Sequence, residues 1–301
     1  MTWLRPAVRA LAIAFASLAA LVLTLVAHGY SVANGSEPRR LLPLRVRPDS
    51  GLIERGRHLA EIGCAGCHSP ANSLPLAGGV TNFLELTGGP RLGQLYAPNL
   101  TPGGRLPGYG DAELGRAIRE GLDLERRPFL VMPSNAWRGL SDRDLAALIT
   151  WLRSQPATGS PTPRRRIAPL AYLILGTHAF ETSRQRPVER PAPGVPERPD
   201  AEYGEYLTGL LGCAGCHGAT FRGGRDPFAP RGPDLVAVVT RHPVEAFGRA
   251  LREGQGVDGR ALDPVRMPWV PWRRLTDVEV AAVYEFLRRQ ATAPRPVTET
   301  E

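Results

Sequence analysis

The four cysteines of this sequence form two pairs with the same spacing, and a histidine follows each pair directly. The two motifs are Cys64-Ala65-Gly66-Cys67-His68 and Cys213-Ala214-Gly215-Cys216-His217. Cys-x-x-Cys-His is the attachment motif of c-type haem, in which both sulfurs form thioethers with the porphyrin and the imidazole binds the iron. We therefore predict two covalently bound haem c groups, each with its histidine as one axial ligand of the iron.

The same residues permit two other chemistries. A Cys-x-x-Cys pair can form a redox-active disulfide or provide half of a zinc site. A zinc site here would have to combine ligands from two distant motifs, and no further cysteine is present. The histidine after both pairs, together with an export segment at the N-terminus, favours haem attachment over either alternative.

The internal methionines provide candidates for the second axial ligand. Besides Met1, the sequence contains only Met132 and Met267, which lie 135 positions apart, and a proline follows each. Methionine usually fills gaps in a core, but here both copies precede the last helical segment of a repeat. We predict that Met132 and Met267 bind iron opposite His68 and His217. The other histidines of the exported part, His58, His178 and His242, are expected to be surface or hydrogen-bonded residues.

Two prolines are candidates for orienting the proximal histidines. Pro98 begins Pro98-Asn99-Leu100 and Pro233 begins Pro233-Asp234-Leu235, again 135 positions apart. The carbonyl groups of Pro98 and Pro233 could accept the second ring N–H of each imidazole and so fix its orientation. A turn proline with no such role is the alternative.

The chain repeats itself, which indicates two domains of similar construction. The haem motifs are 149 positions apart, whereas the later landmarks are 135 apart, so we place a 14-residue difference in one loop between His68 and Pro98. Asp111 is predicted to cap a helix ending at Gly121, and His242–Glu253 is its counterpart. Ser141 with Asp144, and Thr276 with Glu279, resemble capping boxes that begin the last helices. No convincing strand pattern is present.

The domain boundaries follow from these landmarks. We predict a tether over 34–49, domain 1 over 50–155, a linker over 156–199, domain 2 over 200–291 and a flexible tail over 292–301. The linker is rich in proline and arginine but contains an apolar segment, Ile167 to Leu175. This segment is too short to span a bilayer. We expect it to pack against a domain or between the two domains, with a second membrane contact as the alternative.

The N-terminus, residues 1–33, predicts export. Arg5 and Arg9 precede an uncharged apolar run from Ala10 to Ala27, whose length as a helix is close to the thickness of the bilayer core. We predict an inner-membrane anchor with the remaining chain in the periplasm, since the arginines stay on the cytoplasmic side. A signal peptide cleaved after Ala33, which would give a soluble periplasmic protein, is the alternative.

The formal charge of +8 indicates little about the partners. A basic protein can bind nucleic acid, anionic lipid or an acidic protein, but the propionates of two haems would lower the net charge to about +4. We predict no nucleic-acid partner.

The order of these features resembles a class I cytochrome c domain in each repeat: a helix, Cys-x-x-Cys-His, a Pro-Asn-Leu or Pro-Asp-Leu loop, Met-Pro and a final amphipathic helix. The resemblance covers both predicted domains. It implies a mainly α fold, with two tandem class I cytochrome c domains after an N-terminal transmembrane helix.

Domain 1 is also similar to the cytochrome subunits of membrane-bound alcohol, sugar-acid and related dehydrogenases. The similar segments are 93–102, Met132-Pro133-Ser134 and Leu140-Ser141-Asp142. In that family the haems pass electrons from a partner dehydrogenase toward quinone or an oxidase, although those subunits generally hold three haems. The resemblance implies redox protein partners: a dehydrogenase, an oxidase or a small cytochrome.

The predicted ligands favour an electron carrier of a respiratory chain over an enzyme. The alternatives are a diheme peroxidase-like enzyme, a sulfur-compound-oxidising enzyme and a ligand-sensing haem protein. Peroxidases and sensors need an open or exchangeable position on the iron, and sulfur-oxidising haems often use a cysteine ligand. His/Met ligation at both sites leaves no open position and raises the reduction potential. Binding of carbon monoxide to the reduced protein would distinguish these alternatives.

Overall fold

The computed structural model describes residues 4–44, 46, 50–224 and 230–292 and is mainly helical. Of the predicted tail, residues 292–301, only Thr292 belongs to the described residues. The first repeat and the segments around it contain α1 Leu4–Asn34, α2 Ser50–Gly63, α3 Ala65–His68, α4 Phe83–Gly88, α5 Asp111–Glu120, α6 Ser134–Trp137, α7 Asp142–Ser154 and α8 Pro169–Gly176. The second contains α9 Ala201–Leu210, α10 Ala214–His217, α11 Leu235–Arg241, α12 Val244–Arg252 and α13 Asp277–Thr292.

Each repeat is organised around a crossing of its first and last long helices. In domain 1, α2 crosses α7 where a Cβ on Gly56 would overlap the carbonyl of Ala147. In domain 2, α9 crosses α13 where a Cβ on Gly204 would overlap the carbonyl of Ala282. Only glycine permits such close backbone approach. The two crossings therefore occupy equivalent positions of the repeat, and apolar side chains of the same helices form a common buried core.

The last helices of the two repeats, α7 and α13, have similar but not identical N-terminal caps. Thr276 and Glu279 form a reciprocal capping box, with the Thr276 amide donating to Glu279 Oε2 over 2.9 Å and the Glu279 amide donating to Thr276 Oγ1 over 3.2 Å. At α7 the prediction was only half right. Ser141 Oγ accepts from the amide of Asp144, but the amide of Ser141 donates to the hydroxyl of Tyr206 from the other domain. The carboxylate of Asp144 is thereby released for another interaction.

Two further helix starts differ from the prediction. The cap of α5 is Gly110, whose amide donates to Glu113 Oε2 over 2.7 Å, and Asp111 is the first helical residue. Its counterpart α12 begins at Val244, because Pro243 occupies the N-cap position with extended backbone. Both helices still carry a carboxylate in the first turn, where it interacts favourably with the helix dipole.

The extra residues of domain 1 lie in two places rather than in one loop. Gly78 and Gly223 have the same left-handed φ of 106°, and their amides donate to the carbonyls of His68 and His217. These glycines are therefore equivalent, which places a short insertion before Gly78 and a longer one after it. The longer insertion contains α4 and a strand, β1 Gly93–Gln94.

The linker contributes structure that the sequence pattern did not predict. Its strand β2, Arg166–Ile167, pairs antiparallel with β1, matching Gly93 to Ile167. The apolar segment forms α8, which packs against domain 1 through Ala171 and against the N-terminal helix α1 through Leu175. The expected packing against a domain is present, and the contact with α1 adds to it.

The helix α1 is long and apolar enough to cross a membrane, and none of its apolar window is buried within the protein. The other described helices do not meet the same criteria of length and hydropathy. An unburied apolar face of this length distinguishes α1 from the core helix of a soluble domain.

The two repeats meet through two buried carboxylates and two half-buried rings at equivalent positions. His58 contacts both carboxylate oxygens of Glu279 at 2.8 and 2.9 Å, and Tyr206 donates to Asp144 Oδ2 over 2.8 Å. His58 of domain 1 corresponds to Tyr206 of domain 2, and Asp144 corresponds to Glu279. Each domain thus supplies one ring and one carboxylate to the other, which is the arrangement of a two-fold interface within one chain.

Arg55 joins these contacts into one network. It forms a bidentate pair with Asp144 at 3.0 and 2.8 Å and donates to the hydroxyl of Tyr203 over 3.1 Å. Tyr203 in turn donates to Glu279 Oε1 over 3.3 Å. Burial acts to lower the pKa of Arg55, but the hydrogen bonds and the negative charge of Asp144 outweigh this effect, so the pKa of Arg55 is raised. Such a pair is stable in the interior only because both partners are hydrogen-bonded.

Candidate haem sites

Short helices present the cysteines of both motifs. In domain 1, α3 follows Cys64 directly and includes Cys67 and His68, and in domain 2, α10 follows Cys213 and includes Cys216 and His217. The four thiols are free, with no disulfide within either pair. Burial raises the pKa of Cys64 and of Cys213 to about 12. Redox-active dithiols depend on a lowered pKa, so this environment disfavours disulfide exchange at the two motifs.

The proximal histidines are oriented by backbone carbonyls. His68 Nδ1 donates to the carbonyl oxygen of Pro98 over 2.7 Å, and His217 Nδ1 donates to that of Pro233 over 2.9 Å. Because a carbonyl only accepts, the proton is on Nδ1 and the lone pair is on Nε2. Burial lowers the pKa of both imidazoles although the hydrogen bonds oppose the shift. Both rings are thus neutral and able to bind a metal through Nε2.

Glycines near each motif make room for this arrangement. A Cβ on Gly79 would overlap the carbonyl of Cys67, and one on Gly224 would overlap the carbonyl of Cys216. A Cβ on Gly232 would lie 2.5 Å from His217 Nδ1. These residues were missed in the sequence, although the Gly-Gly dipeptide in each repeat, Gly78-Gly79 and Gly223-Gly224, was a detectable signal.

The two methionines lie in matching turns, each of which precedes the last helix of its repeat. The carbonyl of Met132 accepts from the amide of Ser134, and that of Met267 accepts from the amide of Trp269, both over 2.8 Å. Both methionine side chains are half-buried against the core. The short helix α6 follows the first turn, and a 3-10 helix, Val270–Arg274, follows the second.

An unpaired hydroxyl next to Met132 supports the presence of a further group in domain 1. Ser134 is fully buried, and its Oγ has no hydrogen-bond partner among the described residues. A buried hydroxyl without a partner is costly. A haem carries polar propionate groups that such a hydroxyl could bind, so the residues around this site fit the cofactor that the motif implies.

The short helix that follows the methionine turn in each domain lies close to the haem motif of the other. A Cβ on Gly66, inside the first motif, would contact Pro271 at 3.3 Å, and one on Gly212, just before the second motif, would contact Ala136 at 3.9 Å. Ala136 and Pro271 each lie four residues after a methionine. The contact between the domains therefore brings the two motifs toward a shared boundary.

The remaining histidines are hydrogen-bonded through their rings, except His242, which is bonded through its backbone carbonyl. His58 contacts Glu279, and His178 Nε2 lies 3.0 Å from His28 Nε2. The carbonyl of His242 accepts from the hydroxyl of Tyr284. The described residues contain no cluster of three or more His, Cys, Asp or Glu side chains placed to hold a metal ion.

Comparison with known proteins identifies the second repeat. The family model "Cytochrome c" matches residues 201–291. Residues 201–291 are a cytochrome c domain. This family implies covalently attached haem c, and the match begins at the first residue of α9 and ends near the end of α13.

Two relatives share part of the chain. It is 32% identical over 124 residues to a nicotinate dehydrogenase subunit of Pseudomonas putida, covering 40% of this chain and 9% of that protein. It is 32% identical over 143 residues to the fructose dehydrogenase cytochrome subunit of Gluconobacter japonicus, covering 42% of this chain and 28% of that protein. The chain thus spans under a third of the length of either relative, and over that part it is homologous to subunits of two dehydrogenases, one of them a cytochrome subunit.

Proposed function

We propose that this protein is a diheme electron carrier in which both irons have His/Met ligation. The observation that supports this most directly is the duplicated half-site: each motif has a histidine whose Nδ1 donates to a proline carbonyl, which leaves Nε2 with its lone pair. When bound, each haem iron exchanges one electron between its ferrous and ferric states. His68 and His217 would hold one face of each iron, and Met132 and Met267 the other.

The chain's own residues keep this site closed to other chemistry. The raised pKa of Cys64 and Cys213 keeps these thiols neutral, which disfavours thiolate catalysis. Methionine on the second face would leave no position for peroxide or oxygen, so electron transfer is the function that these residues favour over peroxidase or sulfur-oxidising activity.

We further propose that α1 is retained as a membrane anchor and holds the haem domains in the periplasm. Ala33, the residue before the alternative cleavage point, is fully buried, and its carbonyl accepts from Arg165 over 2.7 Å. Gly29 packs so closely on α8 that a Cβ would overlap the carbonyl of Tyr172. Removal of residues 1–33 would uncover Leu130 and Leu175, which pack around Ala33.

The electron donor is proposed to be a dehydrogenase, with this chain as its cytochrome subunit. The similarity to the fructose dehydrogenase cytochrome subunit and to a subunit of nicotinate dehydrogenase supports that partnership. An oxidase or a small cytochrome would accept the electrons.

Haem stoichiometry tests the diheme proposal. The purified holoprotein should contain two covalently bound haems per chain, and Cys213→Ser with Cys216→Ser should reduce this to one. One haem per wild-type chain would contradict the proposal. Alkaline extraction of membranes tests the anchor, since release of the wild-type haem protein into the soluble fraction would show that α1 does not hold it in the bilayer.

A further inference from the structure

The helix α8 runs antiparallel along the last turns of α1. A Cβ on Gly176, at the end of α8, would overlap the carbonyl of Leu25, whereas Tyr172, one turn earlier, contacts Gly29. Leu25 belongs to the apolar run that ends at Ala27. The C-terminal end of α8 is therefore level with the last residues of the membrane-spanning run, while its first residues lie farther from the membrane.

The end of α8 is held at this depth by a second contact. His178 Nε2 lies 3.0 Å from Nε2 of His28, the residue that follows Ala27 directly. The ring of Tyr172 also packs edge-on against the ring of Tyr30, with centroids 5.3 Å apart. Tyrosines are enriched at the interface between membrane and water.

The exposed apolar residues of this segment lie at its two ends. Leu170, at the start of α8, is 45% exposed, and Phe180, at the end of the exposed turn 177–180, is 39% exposed. From 167 to 180 the sequence contains no Asp, Glu or Arg. An uncharged, exposed segment beside a transmembrane helix loses less hydration free energy in the interface of a bilayer than a charged one would.

Basic residues flank this segment at the height of the headgroups. Arg165 contacts the carbonyl of Ala33, and Arg164 and Arg166 on either side of it are exposed. Ala33 lies six residues beyond Ala27, which corresponds to about 9 Å along the helix. The polar layer on each side of the hydrocarbon core is about 5–8 Å thick, so Ala33 lies at its outer edge. The long side chains of Arg164 and Arg166 can extend from there to the lipid phosphates.

We propose that α8 and the turn that follows it, residues 167–180, are a second membrane contact that inserts into the outer surface of the bilayer. The partner is an anionic lipid surface: the phosphates face Arg164 and Arg166, and the acyl region faces the exposed turn after α8, residues 177–180. Because β2 and Ala171 attach α8 to domain 1, this contact fixes domain 1 against the membrane. The inference depends on the proposed anchoring by α1.

Thiol labelling of the full-length holoprotein in phosphatidylglycerol nanodiscs tests this contact. The four native cysteines are consumed by haem attachment, so an introduced cysteine is the only free thiol. Phe180→Cys is compared with Val278→Cys in domain 2, since both wild-type side chains are 39% exposed. Leu23→Cys, in α1, reports on the anchor, and the reagent is a charged maleimide that does not enter bilayers.

The proposal predicts that Phe180→Cys is labelled about tenfold or more slowly than Val278→Cys, because a thiol at membrane depth is screened from a charged reagent. Equal rates at these two positions, with Leu23→Cys protected, would overturn the second contact and leave the anchor in place. Labelling of Leu23→Cys at the rate of Val278→Cys would overturn the anchor, and the second contact with it.

Discussion

At the scale of single residues, each candidate haem site depends on small residues as much as on the ligands. The imidazole of His217 donates to Pro233, and Gly232 lies against the same ring nitrogen. Glycine is required at position 232 because a side chain would not fit there. Backbone conformation is not the reason, since the φ of Gly232 is not left-handed. The protein thereby fixes the direction of Nε2, the ring nitrogen that would bind the proposed iron.

The variant Gly232→Ala is expected to disturb that orientation. Its Cβ would lie 2.5 Å from His217 Nδ1, so the ring or the Pro233 loop must move. We predict weakened histidine ligation in domain 2, seen as high-spin character in about half of the absorbance of the oxidised protein. Gly215→Ala is the matched control, because no atom lies within 4 Å of its added Cβ. A low-spin spectrum in both variants would contradict the prediction.

The methionine variants separate the two sites. Met132→Ala and Met267→Ala should each open one iron, so that carbon monoxide binds about half of the reduced haem in either single variant. Loss of the thioether should also lower the reduction potential of that haem, since methionine favours the ferrous state. A redox titration with carbon monoxide difference spectra measures both effects. An unchanged potential for either variant would show that its methionine is not a ligand.

At the scale of secondary structure, the helix crossings define each domain. The crossing of α9 and α13 leaves no space for a side chain at Gly204, and that of α2 and α7 leaves none at Gly56. Backbone-to-backbone contact of this kind makes each crossing intolerant of added volume.

The variant Gly204→Ala should destabilise domain 2 by about 1–3 kcal/mol, the usual cost of overpacking, because the carbonyl of Ala282 cannot move without shifting α13. Gly209→Ala, in the same helix, meets no atom within 4 Å and should be neutral or stabilising through its higher helix propensity. Denaturant unfolding of the holoproteins, followed by circular dichroism, measures the difference. Equal stability of the two variants would contradict the account of the crossing.

Local sequence patterns predicted many of the helix ends. The caps at Ser141 and Thr276 and the glycine after α5 follow from short-range chemistry, so the sequence was sufficient to find them. The pairing of β1 with β2 and the docking of α8 on α1 were not predicted. They depend on contacts between segments that are distant in sequence, for which a two-residue strand or an eight-residue helix provides no periodic signal.

At the scale of the whole molecule, the interface between the domains depends on buried charge. Glu279 accepts from His58 and Tyr203 and also caps its own helix. His58 and Glu279 are 221 positions apart, and neither lies in a recognisable motif. This contact between the domains was therefore not predicted, although a hydrogen-bonded His58 was among the expectations.

The pKa of Glu279 makes the interface sensitive to acid. Burial works to raise this pKa, but the hydrogen bond and charge of His58 and the amide of Thr276 outweigh it, so the folded value is below the ordinary 4.5. A lowered carboxylate pKa contributes stability that is fully present above 4.5 and is lost as the pH falls toward the folded value.

We therefore predict that the free energy of unfolding falls below about pH 4.5, and that Glu279→Gln reduces this fall. The variant should also be less stable at neutral pH by about 1–3 kcal/mol, because it leaves buried partners incompletely bonded. Unfolding measured over a pH series checks both, with the exposed Glu285→Gln as the control. An identical acid dependence in wild type and Glu279→Gln would show that this carboxylate does not couple the domains.

The visible spectrum of the intact holoprotein, oxidised and reduced, with and without carbon monoxide, tests the central claim most directly. Closed His/Met ligation at both sites predicts a sulfur-to-iron band in the ferric protein, low-spin iron throughout and no response to carbon monoxide in the ferrous protein. Binding of carbon monoxide by the unmodified protein, or a high-spin signal from either haem, would contradict the assignment of a closed electron carrier and would favour an enzyme.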